Sequence, residues 1–152
     1  MSAETASVHA SAVLAGNRAV LIRGAAGTGK SRLALALLGA AATGMLRFAC
    51  LVGDDRVHIE PRHGRLLVRP VPSLAGLIEV RGVGIRRLDY EEAAIVGLVV
   101  DLEAEDAERL PQSDQTVVAG VNLPRLAVAA NADPLQLVLV YLAVPATGIK
   151  SL

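Results

Sequence analysis

The residues Gly24-Ala25-Ala26-Gly27-Thr28-Gly29-Lys30-Ser31 match the pattern G-x-x-x-x-G-K-[ST] at every fixed position. Each fixed residue has a mechanical reason. The glycines permit positive φ, so consecutive backbone N–H groups can converge on phosphate oxygens. A helix opening directly behind the loop adds its partial positive charge. A lysine at position 30 reaches the β- and γ-phosphates of a nucleoside triphosphate, and a serine hydroxyl at 31 is placed to ligate Mg²⁺. The chain has two lysines against thirteen arginines, yet a lysine fills the slot where a flexible point charge suits better than a planar fork. The pattern therefore predicts binding of ATP with Mg²⁺ through Gly24, Ala25, Ala26, Gly27, Thr28, Gly29, Lys30 and Ser31.

Transfer of a phosphoryl group to a hydroxyl needs two further things: an acid on the metal side and a group that takes the acceptor's proton. Asp54-Asp55 is the first candidate. It follows the apolar run Phe48–Val52, where a Walker B-like carboxylate belongs, and repulsion between neighbouring carboxylates favours proton uptake by one of them. Glu79 is the second candidate, an acid inside the short apolar run Leu77–Val80 that leads into Gly82 and Gly84. His9 lies in a polar–apolar alternation ahead of the loop. Arg109 is the single cation between Leu88 and Thr116, where nine acids gather, and local ion pairs are its simplest role.

The elements that must position these groups follow from pattern. Val8–Leu14 and Arg18–Arg23 flank the turn formers Ala15-Gly16-Asn17 and predict a hairpin. Helix formers with leucines at 33, 35, 37 and 38 predict a helix from Lys30 to about Ala42, ending near Gly44. Arg56–Glu60 and Arg65–Arg69 predict a second hairpin around His63-Gly64. Leu77–Val80 and Val83–Arg86 read as short extended pieces, Ile95–Leu102 as a buried strand, and Glu103–Arg109 as an acidic helical turn. Thr116–Asn122 and Leu126–Ala129 read as strands. Asp133-Pro134 supplies an N-cap and a proline at the first helical position, opening a helix to about Ala143. The helices are far apart in sequence and strands outnumber them. This predicts an α/β fold, a mixed β-sheet with helices packed on it, rather than an alternating βαβ array.

The 152 residues suit one domain spanning the chain. Hydrophobic residues make up 53% and aromatics 2%, so Ala, Val, Leu and Ile must build the core. A formal net charge of zero provides no general attraction to nucleic acid or anionic membrane. The charge is unevenly spread, with seven arginines against four acids from Asp54 to Arg87, which reads first as solvated faces of one domain and otherwise as a basic side toward phosphate or a partner. A lone cysteine, Cys50, excludes an internal disulfide and reads as a buried thiol. With no signal-like N-terminal segment and no run long enough to span a bilayer, a cytoplasmic protein is expected.

Four of these features, in this order, resemble the catalytic domain of HPr kinase/phosphorylase, an enzyme that phosphorylates a serine of the phosphocarrier protein HPr. They are His9, the phosphate loop, Asp54-Asp55-Arg56-Val57, and Ile78-Glu79-Val80-Arg81-Gly82-Val83-Gly84-Ile85, which is similar to the family's E-[IV]-R-G-[LV]-G-I signature. The resemblance runs from about Val8 to Leu142. It implies a P-loop fold of the HPr kinase/PEP carboxykinase type. Lys30 would bind phosphate, Ser31 and Glu79 would hold Mg²⁺, and Asp55 would be the base toward serine and the acid in reverse. His9 would support the site, Arg109 would match a later catalytic arginine, and Asp54 and Arg81 would be supporting residues. HPr or an HPr-like protein is the implied partner, and a homo-oligomer, hexameric by analogy, the implied assembly. The chain looks like the short form, without the family's N-terminal domain, found in alphaproteobacteria. Ala129-Ala130-Asn131-Ala132 replaces the P-G-R-N-like dephosphorylation motif, so kinase activity is better supported than phosphorylase activity. The alternatives are a non-catalytic ATP-binding sensor and a P-loop small-molecule kinase. The absence of N-K-x-D disfavours a GTPase.

Overall fold

The computed structural model describes residues 6–107 and 114–143. Its elements run β1 (Ala6–Val8), β2 (Ser11–Ala15), β3 (Arg18–Arg23), α1 (Lys30–Ala42), β4 (Ala49–Gly53), β5 (Val57–Arg62), β6 (Arg65–Pro70), a 3₁₀ turn at Pro72–Leu74, β7 (Leu77–Val80), β8 (Gly84–Arg87), β9 (Ala94–Leu102), β10 (Gln115–Val118), β11 (Val121–Val128) and α2 (Pro134–Ala143). The expected α/β class holds, as does the mixed sheet. Among the described residues nine strands form one curled sheet along the path β1-β5-β6-β9-β3-β2-β4, with β11 also on β9 and β10 on β11. The hairpin β7–β8 stands apart as a two-stranded sheet.

The centre is β9, parallel to β3 on one side and to β11 on the other, with β6 antiparallel at its start. Buried on both faces, it reads as a nearly continuous apolar run. Ala94, Val96 and Val99 face one core with Leu21, Val57, Leu66 and Val68 of the hairpin side. Leu98, Val100 and Leu102 face the other, with Leu33, Ala34 and Leu37 of α1 and Val138 of α2. The switch of alternation occurs at Gly97, where the register against β3 slips. A Cβ at Gly97 would sit 2.7 Å from the Cβ of Arg18, so only glycine admits that bulge.

Helix α1 has the expected bounds, and the Gly44 N–H closes it on the Ala41 carbonyl at 3.1 Å. At the start of α2, the Asp133 carboxylate accepts the Leu135 N–H at 3.1 Å, the predicted cap. Four expectations need correction here. The Val8–Leu14 strand is broken at His9–Ala10, because β1 pairs with β5 while β2 pairs with β3 and β4. The Ala10 N–H donates instead to the Asp55 carbonyl at 3.1 Å. Thr116–Asn122 is a hairpin, since Ala119 and Gly120 both take positive φ, 51° and 81°. Within Glu103–Arg109, residues 103–107 form turns, with Glu103 at φ 50°; Arg109 lies outside the described residues. Cys50 is only half-buried; burial, then Glu91 and Asp89, raise its thiol.

Candidate active site around the phosphate loop

The loop joins β3 to α1 and is built as its sequence requires. Gly24 has φ 159°, and a Cβ there would approach the Thr28 hydroxyl oxygen to 2.4 Å. That hydroxyl donates to the Ala25 carbonyl at 2.7 Å, and the Lys30 ammonium donates to the Gly24 and Ala25 carbonyls at 2.8 and 3.3 Å. Lys30 is buried. A cleft of about 680 Å³ opens over the loop, with His9, Lys30, Ser31, Asp55, Glu79 and Arg81 in its walls. Four stretches distant in sequence thus meet at one site. Gly27 and Gly29 also line it, as does Ala26.

The adjacent carboxylates of Asp54 and Asp55 diverge. Asp54 is buried and accepts from the Ser31 hydroxyl, 2.8 and 2.9 Å from its two oxygens, and from the Ser11 hydroxyl at 2.7 Å. The Glu79 N–H points at it from 3.4 Å. Asp55 turns outward at φ 70°, a left-handed conformation aspartate tolerates, and one of its oxygens lies 2.8 Å from His9 Nε2. An ionised carboxylate only accepts, so Nε2 carries the hydrogen in this bond. The pair therefore divides its work by direction, each acid having its own partners, and mutual repulsion is not what distinguishes them. Glu79 is exposed into the cleft while its neighbour Ile78 is buried in the α1-side core, the alternation of a strand.

Ser11 was missed by the sequence reading. It is wholly buried, donates to Asp54 and accepts the Asp55 N–H at 3.2 Å, so one hydroxyl ties both acids to β2. Only the β2–β4 pairing, with its irregularity between Ala12 and Val13, brings Ser11 to the end of β4. A serine in an apolar run carried no such signal.

A second acid ends a strand beside the loop. Asp101 is the last residue but one of β9, the parallel neighbour of β3, and its two oxygens accept from Arg23 at 2.7 and 2.9 Å and from Arg125 at 2.6 Å. Arg125 also grips Asp106 at 2.8 and 2.9 Å. Val100 and Leu102 face α1, so Asp101 between them faces away from it. Burial alone would raise the Asp101 carboxyl, but the hydrogen bonds and charges of Arg23 and Arg125 outweigh it and hold it below the usual carboxylate range. The Arg125 bond, against a smaller burial effect, likewise lowers Asp106. Bonds from Asp106 and then Asp101 raise the guanidinium of Arg125. The cations serving this acidic stretch thus include Arg23 and Arg125, which lie outside it in sequence. Nor do the seven arginines of residues 54–87 form one phosphate-facing surface. Arg81 lines the cleft, whereas Arg62 and Arg69 pair with Glu60 and Arg56 donates to Ser7.

Magnesium prefers hard oxygen ligands and takes one or two from protein, with phosphate and water supplying the rest. Ser31 and Asp54 place such oxygens in contact at the mouth of the loop, and Glu79 lines the same cleft. The donor set fits that ion. Among the described residues no three His, Cys, Asp or Glu side chains form a preformed cage. No helix there is long and apolar enough to cross a membrane.

Fold and loop together define a P-loop α/β domain with acids from two further strands facing the phosphate-binding turn. The model of the HPr serine kinase C-terminal domain matches residues 1–145, and the chain belongs to that family. It is 35% identical over 139 residues to the HPr kinase/phosphorylase of Streptococcus thermophilus, covering 83% of this chain and 43% of that one. Against the HPr kinase/phosphorylase of Azoarcus the identity is 35% over 145 residues, covering 86% and 44%. The chain thus spans less than half the length of these relatives. The solved structure of the Hpr(Ser) kinase/phosphatase from Coxiella burnetii superposes with a TM-score of 0.71 at 22% identity, covering 96% of this chain and 95% of that one, and shows the same fold.

Proposed function

We propose that this chain transfers the γ-phosphoryl group of MgATP to a serine hydroxyl of HPr or an HPr-like phosphocarrier protein. The observation that carries the reading is the His9–Asp55 pair. A carboxylate two-thirds exposed, steadied by an imidazole N–H at 2.8 Å, shares one cleft with Lys30 and Ser31. The amides of residues 24–31 and Lys30 bind the phosphates. Ser31, Asp54 and Glu79 hold Mg²⁺, which when bound neutralises charge on the phosphate oxygens. Asp55 accepts the proton of the attacking serine as the new Pγ–O bond forms and the bond to the β-phosphate oxygen breaks. His9 keeps the Asp55 carboxylate turned toward the acceptor. Arg81, on the β7–β8 turn, faces the same space and assists phosphate or acceptor. Catalysis is then mostly positioning and charge neutralisation. In reverse the phosphoryl group returns to the β-phosphate oxygen of ADP while Asp55 gives its proton back to the serine oxygen, so dephosphorylation of the same serine is chemically open to the site.

The test is incubation of the chain with γ-labelled ATP, Mg²⁺ and HPr from the same organism. Label must appear on a serine of HPr and vanish with Asp55→Asn. ATP retention without label on HPr would identify a sensor instead, and label on a small metabolite a small-molecule kinase.

A further inference from the structure

The hairpin β7–β8 carries Glu79 into the cleft, yet among the described residues its strands pair only with each other. Two kinds of contact hold it to the body. Ile78 is buried in the α1-side core. Burial of an aliphatic side chain stabilises without direction, so it attaches the hairpin and leaves its angle open. The direction comes from the base. There the Leu88 N–H donates to the Gly76 carbonyl at 2.7 Å. Just beyond, Tyr90 forms an isolated parallel bridge with Leu51 of β4, and the Glu91 N–H donates to the Leu51 carbonyl at 2.8 Å.

The Tyr90 ring joins these two anchors. Gly76 is buried at φ 77°, and a Cβ there would lie 3.0 Å from Cδ1 of Tyr90 and 2.9 Å from the Leu88 carbonyl oxygen. The bare Cα of a glycine is what lets the ring lie this close. The chain has one phenylalanine, two tyrosines and no tryptophan. Tyr90 is 40% exposed, so core filling does not account for one of its few aromatic rings. A line of contacts thus runs from Asp54, the residue after β4, through Leu51, Tyr90 and Gly76 to Glu79.

We propose that Tyr90 is a positioning residue, which through Gly76 holds Glu79 at the distance from Asp54 that a shared Mg²⁺ requires. This rests on the assignment of Glu79 to the metal made above. Leverage makes a contact at the hairpin base matter in the cleft. Glu79 lies three residues on from Gly76, about 10 Å along an extended chain, so a swing of about 10° at the base moves it by about 2 Å. Mg²⁺ demands near-ideal octahedral geometry with oxygens at about 2.0–2.1 Å. The direct link between hairpin and acid, from the Glu79 N–H to Asp54 at 3.4 Å, is too long to resist such a swing.

Calorimetric titration of the full chain with ATP, once in Mg²⁺ and once in EDTA, separates metal-linked affinity from binding by the loop. Tyr90→Ala should weaken ATP binding about tenfold in Mg²⁺, as expected on losing a group that orients a metal ligand, and by less than about twofold in EDTA. Tyr90→Phe, which keeps the ring, should match the wild type in both. Glu79→Ala should show a loss of the same order confined to Mg²⁺. Adding Tyr90→Ala to it should cost nothing further, because the two act through one contact. Equal losses in Mg²⁺ and EDTA, additive losses in the double variant, or wild-type values in Tyr90→Ala would each overturn the proposal. Should Tyr90→Ala not fold, Tyr90→Leu, which keeps apolar bulk without the flat ring, is read by the same criteria. A Glu79→Ala protein with an undiminished response to Mg²⁺ would instead remove the metal assignment, and this inference with it.

Discussion

Asp54 and Asp101 are the same residue type in nearly the same situation, each at the end of an apolar strand flanking the phosphate loop, and they have opposite surroundings. Asp101 is held by two guanidinium groups that occupy both oxygens. Asp54 is held by two serine hydroxyls and a distant amide, all neutral. A carboxylate saturated by fixed cations has nothing left to offer a metal. One held by hydroxyls keeps its charge uncompensated in a nearly buried place, which suits it to a divalent cation. The difference comes from the Gly97 bulge, which sets the alternation that turns Asp101 away from α1, and from Ser11, which fixes Asp54 toward it. Sitting at a strand end beside the loop does not make an acid functional; its donors decide.

The largest effects should fall on the Asp54 side and on turnover. Lys30→Ala and Asp55→Ala are each expected to lower kcat/KM for HPr phosphorylation by about 10³-fold or more. Their melting temperatures should stay near wild type for Asp55, which is exposed. Near-normal turnover in Asp55→Ala would remove it as the base. On the other side the pattern should invert. Asp101→Ala leaves Arg23 and Arg125 without their shared acceptor and should cost about 2–4 kcal/mol in urea unfolding, short of a fully buried pair because Arg23 is a third exposed. Below its melting range that variant should retain most of its turnover. If Asp101→Ala were instead stable and inactive, the contrast between the two acids would collapse.

The same contrast has a pH signature. The folded-state pKa of Asp101 is depressed, so its contribution is fully present above the unfolded value of about 3.9 and is lost as pH falls through the folded one. Unfolding free energy should therefore decline below about pH 4 in the wild type. The decline should be shallower in Asp101→Asn, which has no such proton to bind. Urea titrations at pH 3 and pH 6 of both proteins measure this, and equal acid sensitivity would show that Asp101 is not a source of it.

These two regions were unequally legible in the sequence. The loop, α1 and the α2 cap are local, each written within a dozen residues, and both helices fall where residue type places them. Asp54, Asp55 and Glu79 were visible because acids stand out beside apolar runs. Asp101 was not, because its partners lie 78 and 24 residues away and become neighbours only through parallel pairing of β3, β9 and β11. The hairpin at Ala119-Gly120 was read through as strand because an alanine at positive φ gives no turn signal. Likewise the kink at His9, which brings its ring to Asp55, depends on β1 and β2 choosing different partners.

The smallest effect discriminates most finely. Ser11 touches no substrate in the scheme above and acts only through Asp54 and Asp55, as a positioning residue. Ser11→Ala removes a donor from a buried carboxylate and an acceptor from the Asp55 N–H, a loss of about 1–2 kcal/mol. Destabilisation alone would leave turnover intact well below the melting range, as expected of Asp101→Ala. Loosening of both acids should instead lower kcat about tenfold with little change in KM for ATP, because phosphate binding by the loop is untouched. The comparison is sharpest against an Asp101 variant matched in stability and assayed at the same temperature. Equal kcat in the two would reduce Ser11 to packing, whereas a lower kcat in Ser11→Ala at matched stability would show that β2 sets the aim of both carboxylates.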